Sequence, residues 1–482
     1  MNQADIAVVG LAVMGQNLIL NLADHGFTVV AYNRTHSKVK AFLEGPAQGK
    51  TILGATDIPQ MLSQLQTPRR VLLMVKAGPV VDELIAQIVP QMQAGDILVD
   101  GGNSHFADTA RRQQELQSRG ILYVGAGISG GEEGARHGPS IMPGGDQRAW
   151  AHLREILQGV SAKTSDGEPC CDWVGDGGAG HFVKMVHNGI EYGDMQLISE
   201  AWTLLRHVGH LPDHQIAQTF AQWNQGPLSS YLVEITAEIL QRKEPDGTLL
   251  VDRILDAAGQ KGTGKWTGIN ALDLGVPLTL ISEAVFARSL SAMREDRVAA
   301  AQKISPKILP ATICDSFSQD VHDALLAAKI ISYAQGFMLM RAAAAQQGWK
   351  LDYGRIAMLW RGGCIIRSAF LDRIRDAFAR DKELPSLVVD PWFQDLLAQL
   401  QPGWRRTLSN ALLTGIAVPA MASALSFFDG YRNAQSGASL LQAQRDYFGA
   451  HTYERTDRPR GEFYHTDWIG SGGFAQSGSY SA

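Results

Sequence analysis

The sequence has few cysteines, little net charge and no long apolar run, and each absence excludes a class of protein. Its 482 residues include four cysteines, Cys170, Cys171, Cys314 and Cys364, whose spacing fits neither a metal site nor a disulfide framework. A net charge of −5 gives no reason to expect nucleic acid or an anionic membrane as a partner. No apolar stretch is long enough to span a bilayer, and the first residues lack the features of a signal peptide. We therefore expect a soluble cytoplasmic protein with reduced thiols and no metal.

The amino-terminal residues have the pattern of a dinucleotide-binding turn. A short apolar run, residues 6–9, is followed by Gly10-Leu-Ala-Val-Met-Gly15 and then by a helical pattern. Small residues at positions 10, 12 and 15 let a pyrophosphate approach the backbone amides at a helix start. The predicted cofactor-binding residues of this turn are Gly10, Leu11, Ala12, Val13, Met14 and Gly15.

The loop after the next strand, predicted over residues 28–32, indicates which dinucleotide binds. It reads Asn33-Arg34-Thr35, with Lys38 three residues further on, and it has no acidic residue for a ribose 2′-hydroxyl. An arginine can bond a 2′-phosphate bidentately and stack on adenine, whereas a carboxylate would repel the phosphate. The alternative is an ordinary surface arginine. The sequence favours NADP over NAD, bound by Asn33, Arg34, Thr35 and Lys38.

Three further polar segments follow β-rich runs at residues 70–76, 97–101 and 121–125. They are Val75-Lys-Ala-Gly78, Asp100-Gly-Gly-Asn-Ser104 and the Gly-rich loop of residues 127–136. A single Gly-rich loop is often only a tight turn. In an open α/β sheet, however, ligands bind at the carboxyl ends of the strands, so we expect these loops to face the nicotinamide and the substrate. The predicted cofactor residues here are Val75, Lys76, Ala77 and Asn103.

Residues 181–195 predict a helix with an unusual polar face. Helical pitch places Lys184, His187, Asn188 and Glu191 on one side, with Lys184 and Glu191 seven positions apart, or ~10 Å along the axis. Such a row is costly unless it lines a wet cavity or holds a ligand, and a Lys and a Glu in one pocket can act as base and acid. The alternative is a solvated face with a loose ion pair. Two glycines at 189 and 193 weaken the helix unless backbone or ligand comes close.

The pattern is helical from about residue 178 to residue 434 and contains a second group of cations. Lys261-Gly-Thr-Gly-Lys-Trp266 places cations and a hydroxyl on a Gly-rich turn suited to a phosphate or carboxylate, with Arg288 one helix later. Arg445 and His451 lie in a segment that precedes residues 470–482, whose linker-like composition predicts disorder.

These patterns predict three parts and an internal repeat. We expect an α/β Rossmann-type domain over residues 1–177, an all-α domain over 178–434 and a C-terminal tail over 435–482, because the length exceeds what one core usually supports. Lys184-Met-Val-His-Asn is similar to Lys329-Ile-Ile-Ser-Tyr, and Gln215-Ile-Ala-Gln to Arg355-Ile-Ala-Met, so the helical unit is predicted to be duplicated. The second copy has Ser332 and Gly336 in place of His187 and Glu191, so only the first would keep its chemistry.

Taken together, these motifs resemble the NADP-dependent, decarboxylating 6-phosphogluconate dehydrogenases of the pentose phosphate pathway. The resemblance runs nearly end to end and in order, from Gly-Leu-Ala-Val-Met-Gly-Gln-Asn through Asn-Arg-Thr, Asp-Gly-Gly-Asn-Ser, Ile-Ser-Gly-Gly-Glu-Glu-Gly-Ala, the Lys184 helix and Lys-Gly-Thr-Gly-Lys-Trp to the Arg445/His451 segment. It implies a homodimer with shared active sites that converts 6-phosphogluconate to ribulose 5-phosphate and CO₂ while reducing NADP.

The resemblance also implies residue roles. Lys184 would take the 3-hydroxyl proton of the substrate and later return it, and Glu191 would protonate C1 after CO₂ has left. The groups holding the sugar hydroxyls and carboxylate would be Asn103, Ser129, Gly130, Gly131, His187 and Asn188. The phosphate site would be Tyr192, Lys261, Thr263 and Arg288, completed by Arg445 and His451 from the partner subunit.

Two other functions use part of the same pattern. A non-decarboxylating 3-hydroxyacid dehydrogenase would share the dinucleotide turn and the Lys helix but would not need the set of cations at 261, 288 and 445. A non-catalytic NADP-sensing module would tolerate loss of Lys184 or Glu191. Because all three groups of residues are present, the sequence favours the decarboxylating dehydrogenase.

Overall fold

The fold is described from a computed structural model, which covers residues 3–305, 307–311 and 313–470. The chain forms two compact units, residues 1–424 and residues 425–482. In the covered ranges, no helix is both long and apolar enough to cross a membrane. The predicted boundaries at residues 177 and 434 stay predictions.

Eight strands form one sheet in the first part of the larger unit. They are β1 (Ile6–Val9), β2 (Val29–Tyr32), β3 (Ile52–Ala55), β4 (Arg70–Leu73), β5 (Ile97–Asp100), β6 (Leu122–Ser129), β7 (Ser140–Gly145) and β8 (Gly175–Asp176). Their spatial order is β3-β2-β1-β4-β5-β6-β7-β8, and all neighbours are parallel except β6 and β7. The order of the first six strands is that of a Rossmann fold, so the predicted fold class is confirmed.

Helices cover both faces of this sheet, which is why its central strands are apolar throughout. The helices are α1 (Val13–Asp24), α2 (His36–Glu44), α3 (Ile58–Ser63), α4 (Pro79–Ile88), α5 (Phe106–Gln117), α6 (Gly131–His137) and α7 (Trp150–Val160). Alternate residues of β1 enter opposite cores: Ile6 and Val8 pack in a cluster with residues of α1 and α7, whereas Ala7 and Val9 pack in another with residues of α3 and α4. Strands buried on both faces read as continuous apolar runs.

One predicted loop is a strand in the structure. We predicted a strand over residues 121–125 and a Gly-rich loop from residue 127, but β6 continues to Ser129. The prediction was wrong because β6 pairs with antiparallel β7, from Val124 opposite Gly145 to Ser129 opposite Ser140. This pairing supplies backbone partners to β6 past Gly125, where its pairing with β5 ends, and no local pattern in the sequence indicates it.

The rest of the larger unit is helical, as predicted. Its helices are α8 (Ala179–His207), α9 (Asp213–Trp223), α10 (Tyr231–Ile239), α11 (Thr263–Asp273), α12 (Thr279–Ala292), α13 (Arg294–Lys303), α14 (Phe317–Gln347), α15 (Tyr353–Leu359), α16 (Leu371–Arg380), α17 (Pro391–Leu413) and α18 (Pro419–Tyr431), of which α18 extends past residue 424. Long helices α8 and α14 pack together. Each is followed by two short helices and then by a further pair, an order that supports the predicted duplication.

The residues of the second copy have a packing role against α8. Lys329 of α14 is fully buried, and its Nζ lies 2.5 Å from Asp194 Oδ2. A Cβ at Gly193 would lie 2.6 Å from Ser332 Oγ, and a Cβ at Gly336 would lie 2.7 Å from the Ile190 side chain. Glycine at both positions therefore lets the two long helices approach closely.

Residues 425–482 contain α19 (Ala438–Gly449) and a two-stranded antiparallel ribbon of β9 (Tyr453–Glu454) and β10 (Phe463–Tyr464). The buried Asp446 carboxylate accepts bonds from the backbone N–H groups of Thr452 and Thr466 and from Trp468 Nε1. The predicted tail is thus folded around one carboxylate as far as the ribbon. Of the segment 470–482 that we predicted to be disordered, residues 471–482 lie outside the described residues.

Candidate active site

The dinucleotide turn has the geometry that the sequence predicted. A Cβ at Gly10 would lie 2.4 Å from the Met74 carbonyl oxygen, and one at Gly15 would lie 2.0 Å from the Gly10 carbonyl oxygen. Gly10 also has a φ of +112°, which other residues rarely adopt. Helix α1 starts at Val13 with no side-chain cap, so its first amides remain available to an anion.

The predicted adenosine loop is open and basic. Asn33 Oδ1 accepts a bond from Leu11 N–H at 3.2 Å, which ties this loop to the dinucleotide turn. Arg34 and Lys38 are exposed, and neither side chain forms a hydrogen bond or ion pair with any residue that the structure describes. Thr35 is the N-cap residue of α2 and makes no side-chain cap bond. The loop therefore presents two unpaired cations beside a helix start, an arrangement that suits a phosphate group.

Asp100 fixes the loop that carries Asn103. Its buried carboxylate accepts bonds from Ser104 Oγ at 2.6 Å, from Gly102 N–H at 3.1 Å and from Tyr123 Oη at 3.2 Å. Asn103 itself is exposed. Asp100 therefore fixes this loop, while the side-chain amide of Asn103 is available to a ligand.

The polar face of α8 is buried, so the reading as a solvated face is excluded. Lys184 is 6% exposed, and its Nζ lies 2.8 Å from Asn188 Oδ1 and 3.2 Å from His187 Nδ1. His187 Nε2 lies 3.2 Å from Ser129 Oγ at the end of β6. The four side chains form one connected cluster between helix and sheet. A Cβ at Gly127 would lie 2.3 Å from Lys184 Cβ, so glycine there makes room for the lysine.

Burial shifts the pKa values of the two candidate catalytic groups, Lys184 and Glu191, in opposite directions. It lowers the pKa of Lys184, and the charges of Glu191 and Cys364 oppose this effect only in part. Burial raises the pKa of Glu191, against the nearby positive charges of Lys184 and Arg288. Burial also lowers the pKa of His187 well below its usual value. The site therefore favours a neutral amine, a neutral imidazole and a protonated carboxyl group, which suits general base and acid chemistry.

The glycines of α8 are explained by close helix packing. A Cβ at Gly189 would lie 2.7 Å from Thr267 Cγ2 of α11, while Gly193 faces α14. Thr267 Oγ1 donates to the Met185 carbonyl oxygen at 2.9 Å. We predicted that backbone or ligand comes close to these glycines, whereas in the structure side chains of neighbouring helices take up the space.

The predicted phosphate residues Tyr192, Thr263 and Arg288 are neighbours in space. The Arg288 guanidinium lies 3.5 Å from the centre of the Tyr192 ring, and a Cβ at Gly264 would lie 2.5 Å from the same ring. Thr263 begins α11 after Gly262, so four of the six residues that we predicted as a turn, 263–266, are helix. Lys261 is exposed and without a partner among the described residues.

A small cavity joins residues predicted from separate motifs. Its lining includes Asn103 from the loop after β5, Lys184 and Asn188 from α8, and Thr263 and Trp266 from α11. A much larger cavity, about 1010 Å³, lies elsewhere against α15 and α16 and contains none of the predicted site residues. The chemistry, not the size, identifies the smaller one as the candidate site.

Sequence reasoning missed the segment of residues 360–366. The Trp360 ring packs edge-on against His187 at 5.8 Å, and a Cβ at Gly130 would lie 2.6 Å from the Gly363 carbonyl oxygen. Burial raises the pKa of the Cys364 thiol to about 12, so this cysteine is a neutral wall residue. Its Trp-Arg-Gly-Gly-Cys run was the available signal, because adjacent glycines beside a buried tryptophan indicate close packing. The four cysteines, all in the described part, form no disulfide.

Arg445 and His451 lie in the unit of residues 425–482. Arg445 Nη1 donates to Gln442 Oε1 at 3.0 Å, and the His451 ring lies 5.8 Å from that of Phe448. The predicted role of these two residues in a partner's phosphate site stays a prediction.

Known families cover nearly all of this chain. The NAD binding domain of 6-phosphogluconate dehydrogenase matches residues 5–175, and the 6-phosphogluconate dehydrogenase C-terminal domain matches residues 180–468. The chain belongs to the 6-phosphogluconate dehydrogenase family. The first match ends at residue 175 in β8 and the second begins at residue 180 in α8, at the point in the chain where the sheet ends and the helical part begins.

Members of the family from distant organisms are similar over their full length. The chain is 57% identical to a decarboxylating 6-phosphogluconate dehydrogenase of Mus musculus over 484 residues, covering 100% of both. It is 57% identical to that of Haemophilus influenzae, covering 99% of both, and 56% identical to enzyme 1 of Saccharomyces cerevisiae, covering 99% and 100%. The Plasmodium falciparum family structure, studied without ligand, with its cofactor NADP⁺ and with its substrate 6-phosphogluconate, is 42% identical. It superposes with a TM-score of 0.93 over 96% of this chain and 100% of that one.

Proposed function

We propose that this chain oxidises and decarboxylates 6-phosphogluconate to ribulose 5-phosphate and CO₂, with NADP as the hydride acceptor. The observation that carries the proposal is the buried Lys184, hydrogen-bonded to Asn188 and made easier to deprotonate by burial, on the same helix as a Glu191 whose pKa is raised. Family membership and the Plasmodium enzyme's cofactor and substrate support it.

The first step needs a base, and Lys184 is the proposed one. As a neutral amine it takes the proton of the substrate 3-hydroxyl, so that the electron pair of that O–H bond forms the C3 carbonyl as hydride leaves C3. Bound NADP would supply the acceptor for that hydride. Asn188 and His187 orient the amine, since both lie within 3.2 Å of its nitrogen.

The second step is loss of the carboxylate, which the new C3 carbonyl makes possible. The electrons of the C1–C2 bond move to C2 as CO₂ leaves. Lys184 returns its proton to the C3 oxygen, and this protonation completes the enediol. Glu191 then protonates the carbon that lost CO₂, which is C1 of the product. Burial raises the pKa of this carboxyl group, which makes its protonated form easier to keep and suits it to this donation.

Substrate binding is divided between two groups of residues. We assign the hydroxyls and carboxylate to Asn103, Ser129, Gly130, Gly131, His187 and Asn188, and the phosphate to Tyr192, Lys261, Thr263 and Arg288. Among the described residues, neither the exposed Lys261 nor Arg288 forms a salt bridge with a carboxylate, although both charges act on the pKa of Glu191. Bidentate arginine contacts suit a phosphate.

The residues around the dinucleotide turn fit NADP. The cradle between Gly10 and Gly15 would be filled by any Cβ, and the α1 amides above it lack caps. Asn33, Arg34, Thr35 and Lys38 would surround the 2′-phosphate, and Val75, Lys76 and Ala77 would lie along the nicotinamide half.

Replacing Arg34 by alanine should weaken NADP binding much more than NAD binding. A charge-assisted bond of about 1.5–3 kcal/mol is lost only where there is a 2′-phosphate. Titration of each nucleotide by calorimetry measures the difference. Lys40→Ala, on the helix that follows the Arg34 loop and near Glu44, is the control that should leave both affinities unchanged. Equal losses for both nucleotides with Arg34→Ala would rule out this assignment.

Replacing Arg288 by methionine should raise KM for 6-phosphogluconate strongly, by about 100-fold, with NADP affinity nearly intact. The phosphate is remote from the reacting carbons, so its binding energy serves positioning. Steady-state kinetics and an NADP titration separate the two effects. The control is Arg253→Met, an exposed arginine paired with Asp246. Turnover of unphosphorylated gluconate as fast as the phosphorylated sugar would show that the phosphate site is wrongly assigned.

We further propose a homodimer with shared active sites. Helices α11 and α12 pack together and expose Leu272 (83%), Phe286 (66%) and Leu290 (57%), an apolar surface of the kind that marks an interface. Sedimentation velocity at micromolar concentration should show a dimer, and Phe286→Glu should shift it toward monomer. Val389→Glu, outside these helices, should not. A wild-type monomer would contradict the proposal. The cytoplasmic location and the lack of nucleic-acid and membrane partners stay predictions.

The decisive experiment is to supply 6-phosphogluconate and NADP and measure NADPH and CO₂ together. The proposal expects one CO₂ for each NADPH. NADPH without CO₂ would indicate a non-decarboxylating dehydrogenase, and nucleotide binding without turnover would indicate a sensor.

A further inference from the structure

Arg112 of α5 is a buried arginine that contacts two of the three loops predicted to face the nicotinamide and the substrate. It is 1% exposed, although the local sequence, Thr-Ala-Arg-Arg-Gln-Gln-Glu, has the composition of a solvated helix. Arg112 is not among the site residues predicted from the sequence. Fully buried arginines are rare unless they are paired.

One side of the guanidinium holds the loop after β4. Nε and Nη2 each donate to the Asp82 carboxylate at 2.8 Å, one to each oxygen, and Nη2 also donates to the Gly78 carbonyl oxygen at 3.1 Å. Gly78 has a φ of +97° and directly precedes α4. These bonds lower the pKa of Asp82 to about 2, so the pair stays charged over the working pH range. The segment of residues 75–78 is therefore anchored at its end.

The other side of the guanidinium holds the loop after β5. Nη1 lies 3.4 Å from Asp100 Oδ2, and Asp100 is itself fully buried. The same carboxylate binds Ser104 Oγ at 2.6 Å and Gly102 N–H at 3.1 Å, on either side of Asn103. Removing Arg112 would leave a buried carboxylate without its cation, so the loop would have to move.

We propose that Arg112 is a positioning residue that couples the two loops, so that binding of the nucleotide and binding of the sugar acid reinforce each other. This inference rests on the proposed function. Arg112 is 1% exposed, so it offers almost no surface to either ligand. A ligand that fixes residues 75–77 also fixes the guanidinium, which fixes Asp100 and hence Asn103, and the reverse holds because coupling between sites is reciprocal.

The neighbouring Arg111 provides a matched control. It contacts the same Asp82 carboxylate, at 2.9 Å, but also bonds Glu115 and is 45% exposed. Within the described part of the chain, its side chain forms no hydrogen bond with Gly78 or Asp100. Arg111→Met removes the same kind of side chain from the same helix and leaves the bridge in place.

The coupling can be measured with NADPH and 6-phosphogluconate, which cannot react with each other. NADPH fluorescence gives its dissociation constant without and with saturating 6-phosphogluconate. The coupling ratio is the NADPH dissociation constant without 6-phosphogluconate divided by the constant with it. We expect this ratio to be at least five in wild type and in Arg111→Met. In folded Arg112→Met we expect it to lie within twofold of one. We also expect kcat of Arg112→Met to fall about tenfold.

Other outcomes decide against the inference. It is overturned if wild type has a ratio of one, if folded Arg112→Met keeps the wild-type ratio, or if Arg111→Met loses it equally. Should Arg112→Met not fold, Ser104→Ala removes one of the two bonds by which Asp100 holds the Asn103 loop and leaves the Gly102 N–H bond in place. An intermediate ratio then supports the coupling and a wild-type ratio refutes it. A failure of the proposed function is distinguishable, because it would appear in wild type as absent turnover of 6-phosphogluconate with NADP.

Discussion

Lys184→Met should abolish NADPH formation, with a loss of at least about 10³-fold in kcat, because it removes the amine that we propose as the acceptor of the 3-hydroxyl proton. Lys184→Arg should be nearly as inactive, since a guanidinium is not deprotonated at working pH. Rapid-mixing absorbance measures the first equivalent of NADPH. NADP binding should be retained in both variants, which controls for folding. Reduction of NADP by Lys184→Met at near the wild-type rate would require another base.

The conservative substitution Glu191→Gln should slow ribulose 5-phosphate release by about 10²–10³-fold while leaving the first oxidation largely intact. The amide is nearly isosteric but cannot donate an acid proton to C1. Comparing the NADPH burst with the steady-state rate of ribulose 5-phosphate formation separates the two steps. Loss of substrate binding in this variant would mean that Glu191 holds the substrate rather than protonating the product.

The opposite pKa shifts of Lys184 and Glu191 predict how the rate depends on pH. Activity needs neutral Lys184, so it should rise with pH through the lysine pKa, which burial lowers. Activity also needs protonated Glu191, so it should fall as pH passes the carboxyl pKa, which burial raises. In Glu191→Gln, the alkaline limb of the bell should disappear while the acid limb remains.

Local patterns predicted much of the site because they depend on neighbours in the chain. The Gly10 turn and the Lys184 helix each bring their residues together within two turns or fewer, so spacing alone fixed which side chains share a face. The loop of Asn33, Arg34 and Thr35 was recognisable because it follows a strand at a fixed offset. The charge pattern there, basic with no carboxylate, predicted the nucleotide.

Contacts between distant segments were not predictable in this way. Arg112 was indistinguishable from Arg111 in the sequence, and only the approach of α4 and β5 makes one a bridge and the other a surface residue. The antiparallel β7 and the wall of residues 360–366 were missed for the same reason. Each is placed by partners far away in the chain.

The sequence by itself determined the Rossmann half, the helical half, the dinucleotide turn and the row of Lys184, His187, Asn188 and Glu191, because all of these follow from short-range periodicity and spacing. Only the tertiary structure decided that this row is buried rather than solvated, since β6, α11 and α14 pack against α8 at its glycines. That burial removes water from the amine and the carboxyl group. Desolvation penalises the charged form of each and shifts the pKa values in opposite directions, which turns a row of polar residues into a base and an acid.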